Sequence, residues 1–453
     1  MPSGLRRPLR AASSLAYVFH SKIVLDTTKC LSCMTYKMMS GVFAMRATDI
    51  AVTGLGASTP LGGTVRTTWE SLLAGNSGIR DVSTDFLQES GLSVTIAAPM
   101  ATDPANSLTP VAAKRLDRVQ QAAMVAAAEA WADAGSPRVD GTRLAVVMGT
   151  GVGGIGTLLR EDDVLESRGQ RRVSPRTVPM LMPNGPAAAL SIHYGAMAGS
   201  YTPVSACSSG AEALVQATRL IRSGEADVVI AGGTEAAITP ITVAAFLQTQ
   251  AISTRTADAG SASRPFSADR DGFVLGEGAG ILVLESAEHA QARGAVVHAV
   301  LRGVGIASDA FHMTAPAKDG AGQITAIRKA LRDADLSAAD IGHINAHATG
   351  TPVGDLAEAK AIRTVFGDSA CVTAPKASLG HLFGAAGAVE AIVTVKSVAH
   401  DIIPPTRNLH QGNVDPQIGM DIVVSPRYGT QNAAISNSFG FGGQNVCLVF
   451  SKS

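Results

Sequence analysis

From Asp49 onward the chain repeats one pattern: a short apolar run, a glycine turn, then a stretch of helical period. "DIAVTGLGAST" (49–59), "RLAVVMGTGVGG" (143–154) and "ADVVIAGGTEA" (226–236) read as buried strands that end in glycine. "RTTWESLLAG" (66–75), "DRVQQAAMVAAAEAWADAG" (117–135) and "SGAEALVQATRLIRSG" (209–224) read as helices, each closed by glycine. Near residue 297 the sequence starts again. "VHAVLRGVGIASDA" (297–310) and "IGHINAHATGT" (341–351) are strand-like, and 322–336 and 355–367 are helical, the latter with acids in its first turn. Such alternation predicts an α/β protein with mostly parallel or mixed sheets. The echo between the two parts hints at an internal duplication. We expect an N-terminal half at 46–296 and a C-terminal half at 297–453.

Composition narrows this. The chain is 46% hydrophobic and 16% charged, against about 25% charged in average soluble chains. That suits a large core with an apolar subunit interface. A net charge of zero excludes a general nucleic-acid binder. The longest uncharged run, Thr177 to Ala211, holds four prolines, four glycines and Asn184, so it is no membrane span. We expect irregular buried structure there. The five cysteines are odd in number and irregularly spaced, against a disulfide framework. The lone "CLSC" (Cys30, Cys33) lacks both the further ligands of a zinc site and the strand and helix of a redox motif. Residues 1–45 carry six basic residues and one acid, Asp26. This is either a mitochondrial-type presequence or, as we favour, an upstream extension of a bacterial chain. We expect it to be poorly ordered, with Met39 or Met45 a plausible internal start.

Four segments carry candidate chemistry, and each also has a plain structural account. In "VSACSSGAE" (204–212), Cys207 stands at a helix start, where free N–H groups and the dipole favour a thiolate. They also suit a developing oxyanion. A lone cysteine, however, is most often a buried inert residue. In "NAHATGTPVGD" (345–355), His347 follows an apolar strand, and it could equally be tied to its own loop. In "APKASLGHLFGAAGAVEA" (374–391), His381 lies five residues after Lys376, before a helix of Gly, Ala and Val. Here the alternative is a satisfied core histidine with Lys376 on the surface. In "NSFGFGGQN" (437–445), glycines around Phe441 let the backbone approach a ligand, or simply join the last two strands.

In this order and spacing the four segments resemble the β-ketoacyl-[acyl carrier protein] synthases, condensing enzymes of type II fatty acid synthesis. The resemblance runs from about Asp49 to the C-terminus. It includes "MPNGPAA" (182–188), "AGGTEAAITP" (231–240), "SRPFSADRDGFVLGEGAGILVLE" (263–285), "SDAFHMTAP" (308–316) and "IIPPTRN" (402–408). It is strongest to the elongating KAS I/II group, particularly the actinobacterial ones. It implies a thiolase-like fold, two related halves in an α-β-α-β-α layering.

The resemblance also implies roles. Cys207 would carry the acyl chain as a thioester, with the backbone N–H groups of Cys207 and Phe441 as oxyanion hole. His347 and His381 would donate ring N–H groups to the thioester oxygen of a decarboxylating malonyl group. Lys376 would hold His381 and its network, and Glu390 would be a supporting buried carboxylate. Thr349 and Thr351 would flank the pantetheine arm, Val152 and Phe246 would line the acyl pocket, and Phe441 would be its gate. Lys114 and Arg115, with Arg118 close by, would dock the acidic acyl carrier protein, unless they are only a solvated helix start. No metal or other cofactor is implied. The implied activity is 3-oxoacyl-[acyl carrier protein] synthase II, in a cytoplasmic homodimer (mitochondrial if 1–45 is a presequence). Alternatives are a ketosynthase of a polyketide or mycolate-type pathway and, less favoured, a non-catalytic chain-length factor. An initiating synthase would replace the second histidine by asparagine. Two positions depart from the family pattern: Gln250, often arginine in relatives, and Gln444, usually Thr or His.

Overall fold

The backbone groups of the apolar runs find their partners in one large mixed sheet. The computed structural model describes residues 45–453 apart from 88, 89 and 369; the basic extension, with Cys30, Cys33 and Met39, lies outside the described residues. Among the described residues the sheet has eleven strands. Five come from the first part: β1 (Ile50–Ser58), β2 (Leu144–Gly149), β3 (Gly199–Tyr201), β4 (Val228–Glu235) and β5 (Gly278–Ser286). Six come from the second: β6 (Ala299–Ser308), β7 (His343–Asn345), β8 (Cys371–Thr373), β9 (Asp421–Ile422), β10 (Ala433–Gly440) and β11 (Gln444–Ser451). Their order is β9-β8-β7-β10-β11-β6-β1-β5-β4-β2-β3.

The order is near-symmetric about the β6–β1 junction, which is paired only between Ile50–Val52 and Ala299–Leu301. On one side β1, β5 and β4 run antiparallel in turn, and β4, β2 and β3 run parallel. On the other side β6, β11 and β10 run antiparallel, and β10, β7 and β8 run parallel. The same close approach recurs in both. Gly54 and Gly56 in β1 lie under helix α1 (Arg118–Asp133), where an added Cβ would come within 2.1 Å of Ala130 O and 1.9 Å of Ala126 O. Gly303 and Gly305 in β6 likewise face Ala330 O and Ala326 O at 2.3 and 2.1 Å, beneath a second helix (Ala321–Ala334). Only glycine permits helix backbone to sit this near a strand.

Five layers result. Helix α1 covers the outer face of the first strands through Ala122, Ala126 and Ala130 against Val146, Ile230 and Ile281. Helix α2 (Ser209–Arg222), α3 (the Ala321–Ala334 helix), α4 (Pro352–Phe366) and α5 (Ala386–His400) complete the set. α2 and α5 lie between the two parts of the sheet, with Leu214, Ala217, Ile392 and Val395 in a core shared with β1, β4, β5, β6 and β11. α3 and α4 cover the far face, over Ile344, Val372, Ile435 and Val449. The stretch 177–211 differs from expectation. It forms helices at Thr177–Leu181 and Gly185–Tyr194 and then β3, and much of it is open: Ile192 is 84% exposed and Met197 69%. The run lacks charge because it presents an apolar outer surface, not because it is buried. Among the described residues no helix is long and apolar enough to cross a membrane.

Candidate active site

Four loops leave the sheet and meet between the two central helices. Cys207 lies in a single 3-10 turn (Ala206–Ser208) just before α2, after Ala206 at φ +52°. The loop after β7 brings His347; the turn after the short helix Lys376–Leu379 brings His381. The β10–β11 hairpin closes through Phe441–Gly443, where Gly442 and Gly443 take φ near +78° and +73°. The hairpin account of this segment therefore holds, and the same turn brings the Phe441 amide to the Cys207 sulfur, beside the backbone N–H of Cys207 itself.

The electrostatics follow from burial. The thiol of Cys207 is pushed up to about 11, chiefly by desolvation, with the Phe441 amide and Lys376 opposing. The helix start does not prevail here: in a dry site, charging the sulfur costs more than the amides return. Cys207 therefore rests as a thiol. His347 and His381 are fully buried and both held well below the usual histidine range, by desolvation first and then by the Lys376 charge. Both rings are neutral at pH 7. They lie 5.5 Å apart, edge to face. His381 stacks on Phe383 at 4.8 Å, and its two ring nitrogens have no hydrogen-bond partner among the described residues.

Lys376 is buried rather than on the surface, and its ammonium contacts His347 Nδ1 at 3.3 Å while pairing with the Glu390 carboxylate. Its direct partner among the histidines is thus His347, not His381. The Glu390 carboxyl is pushed up to about 7 by burial, against the pull of Lys376. Thr349 and Thr351 share a hydroxyl–hydroxyl hydrogen bond of 3.0 Å. With Val152 and Phe246 they line one cavity of about 540 Å³ that also reaches Cys207, His347, His381, Phe441 and Gln250. Gln250, at φ +55°, is exposed at this cavity; Gln444 stands at the end of the hairpin. Lys114 and Arg115 are exposed at the surface. Arg118 is not free beside them, since its guanidinium binds Glu277 and Asp103.

Sequence reasoning missed two carboxylates. Glu358 was one acid of a helix, yet its oxygens accept the backbone N–H groups of His347 and Ala348 at 2.8 and 2.7 Å. Burial pushes it up to about 7. Glu235 closes β4 and accepts donors from two loops under the cavity. In sequence the only signal was an acid at the end of a strand whose one other polar residue is Thr234.

This geometry defines an acyl-transfer site: a nucleophile facing two amides, two neutral histidines, and an apolar cavity behind them. The comparisons agree. The family description "Beta-ketoacyl synthase, N-terminal domain" matches residues 47–290, and "Beta-ketoacyl synthase, C-terminal domain" matches 298–410. A Mycobacterium bovis protein named 3-oxoacyl-[acyl-carrier-protein] synthase 2 is 46% identical over 406 residues, 89% of this chain and 97% of that one. A beta-ketoacyl synthase from Burkholderia phymatum STM815 superposes with a TM-score of 0.82 at 34% identity, covering 89% of this chain and 99% of that one. A type II polyketide synthase acyl-carrier protein in complex with its ketosynthase gives 0.81 at 28% identity, over 89% and 99%. The chain belongs to the beta-ketoacyl synthase family, with its thiolase-like fold. Its relatives are condensing acyltransferases.

Proposed function

We propose that the protein is an elongating 3-oxoacyl-[acyl-carrier-protein] synthase. One observation carries the reading: Cys207 and two neutral histidines line a single apolar cavity. Cys207 Sγ attacks the thioester of an acyl carrier protein; its proton ends on the departing pantetheine sulfur. The tetrahedral oxyanion is held by the amides of Cys207 and Phe441. The acyl chain extends past Val152 and Phe246. Malonyl carrier protein then enters along Thr349 and Thr351. Its carboxylate leaves as carbon dioxide, and the electron pair passes to the thioester enolate. His347 and His381 stabilise that enolate by donating N–H groups to its oxygen. The enolate carbon attacks the acyl carbonyl, the C–S bond to Cys207 breaks with its electron pair on sulfur, the sulfur takes up a proton from solvent to restore the thiol, and a 3-oxoacyl carrier protein two carbons longer departs. No cofactor enters this scheme.

Gly442 and Gly443 let the Phe441 turn move, which suits the gate role. Lys376 fixes His347 and Glu390 balances Lys376. Lys114 and Arg115 are exposed cations suited to an acidic carrier protein. The chain divides near residue 296 into two related halves and pairs with a second copy in the cytoplasm. The exposed Met197 and Val204 flank β3, the last strand of the sheet, and offer the surface for that pairing. A second reading, a polyketide ketosynthase, draws on the 0.81 likeness to one bound to its carrier protein. The chain-length-factor reading fits poorly with the presence of Cys207. Elongation assays with a series of acyl carrier proteins and malonyl carrier protein test the scheme. Wild type should yield 3-oxoacyl products and Cys207→Ala none; equal products from both would sink it.

A further inference from the structure

Glu235 is buried at the end of β4, and burial raises its carboxyl above the usual range. Its partners are all donors. Oε2 accepts Gly151 N at 2.6 Å and Gly384 N at 3.1 Å; Oε1 accepts Thr150 Oγ1 at 3.0 Å and Val152 N at 3.3 Å. Thr150 Oγ1 itself accepts Gly153 N at 3.1 Å. Four donors from two segments thus converge on this one carboxyl group.

These donors come from separate segments. Residues 150–152 follow β2; Gly384 opens the turn between His381 and α5. The segments are wedged together: a Cβ on Gly384 would stand 2.5 Å from Gly151 N and 2.6 Å from Thr150 Cα. Phe383, just before Gly384, is a non-glycine residue at φ +46°, a conformation that needs its surroundings to hold it. Its ring stacks on His381 at 4.8 Å and on Phe246 at 5.3 Å, and lines the cavity. Val152 lines the same cavity.

We propose that Glu235 is a positioning residue for the condensation: it bolts the Thr150–Val152 loop to the Phe383–Gly384 turn, seating Phe383 against His381 and fixing the acyl end of the cavity. The inference deepens the elongation reading and rests on it.

The test is the chain-length profile, kcat and KM for short, medium and long acyl carrier proteins, measured beside thermal unfolding. Glu235→Gln keeps the shape but turns an NH2 toward amide donors; Thr150→Val removes one of the four donors to Glu235, and with it the acceptor of Gly153 N. For Glu235→Gln we expect condensation kcat to fall about 100-fold, the scale of a lost oriented group, and the long-to-short preference to change severalfold. Thr150→Val should shift that preference in the same direction and less far. Should Glu235→Gln not fold, Thr150→Val carries the test alone. A uniform fall at all lengths that tracks lost folded protein, or an unchanged profile, overturns the proposal. Wild-type protein that elongates nothing overturns the elongation reading and this inference with it, whereas an active wild type with insensitive variants overturns only this one.

Discussion

The ammonium of Lys376 lies 3.3 Å from Nδ1 of His347 while it pairs with Glu390. An ammonium can only donate, so Nδ1 is the acceptor and the ring proton sits on Nε2. One buried cation thus selects the tautomer that presents an N–H to the cavity, and its charge adds to the desolvation that keeps the ring neutral. Lys376→Met frees the ring to take either tautomer. Malonyl decarboxylation, followed as released carbon dioxide, should fall about 100-fold, while acylation of Cys207, read by mass, persists. The same change strands Glu390 and should cost about 3–5 kcal/mol in urea unfolding. Adding Glu390→Gln should recover much of that stability and little of the activity.

A second prediction concerns the nucleophile. Burial holds the Cys207 thiol at about 11, so the thiolate fraction grows roughly tenfold per pH unit through neutrality. Alkylation of Cys207 by iodoacetamide should climb log-linearly from pH 7 to 9 without a plateau. A plateau near pH 7 would mean an activated resting thiolate and would contradict the buried site.

How much of this was legible beforehand divides along physical lines. The strands and helices were readable because apolar period and glycine closure are local properties; β1, β4, α1 and α2 lie within two residues of their expected ends at most boundaries. Cys207, His347 and His381 were readable as a set because their loops follow strands in a recognisable order. The charge state of Cys207 was not, since the N-terminal dipole is a local feature and desolvation is set by the whole enclosure. Neither was the partner of Lys376, which depends on a contact across 29 positions. The 177–211 run misled because absence of charge does not distinguish a core from an apolar surface.

A third prediction uses His343, which sits in β7 with both ring nitrogens unpartnered among the described residues and is held at about 3 by desolvation. Unfolded, it titrates at roughly 6.5. Between these values the unfolded chain binds the extra proton, so stability is lost as pH falls below about 6.5, at roughly 1.4 kcal/mol per pH unit. Asp355, Glu358 and Glu390, raised to about 6, 7 and 7, act the other way over much of that window. The difference between proteins isolates the histidine. Urea unfolding of His343→Leu from pH 6.5 to 5 should show the variant gaining on wild type by about 2 kcal/mol across the range. A constant gap would show that His343 does not titrate with folding.

A fourth prediction addresses docking. Lys114 and Arg115 are exposed, whereas Arg118 is held by Glu277 and Asp103. If the first two steer an acidic carrier protein, reversing both to Glu should raise KM for acyl and malonyl carrier proteins about tenfold. The turnover at saturation should stay near wild type, because neither residue reaches the cavity. A small thioester lacking the carrier protein should be used equally well by both proteins. The deficit should also shrink at high salt, where exposed charges are screened beyond a few ångströms. Arg118→Ala gives the contrast: it leaves the buried carboxylate of Glu277 without its main partner, so its loss should appear in unfolding experiments and be independent of which thioester is supplied.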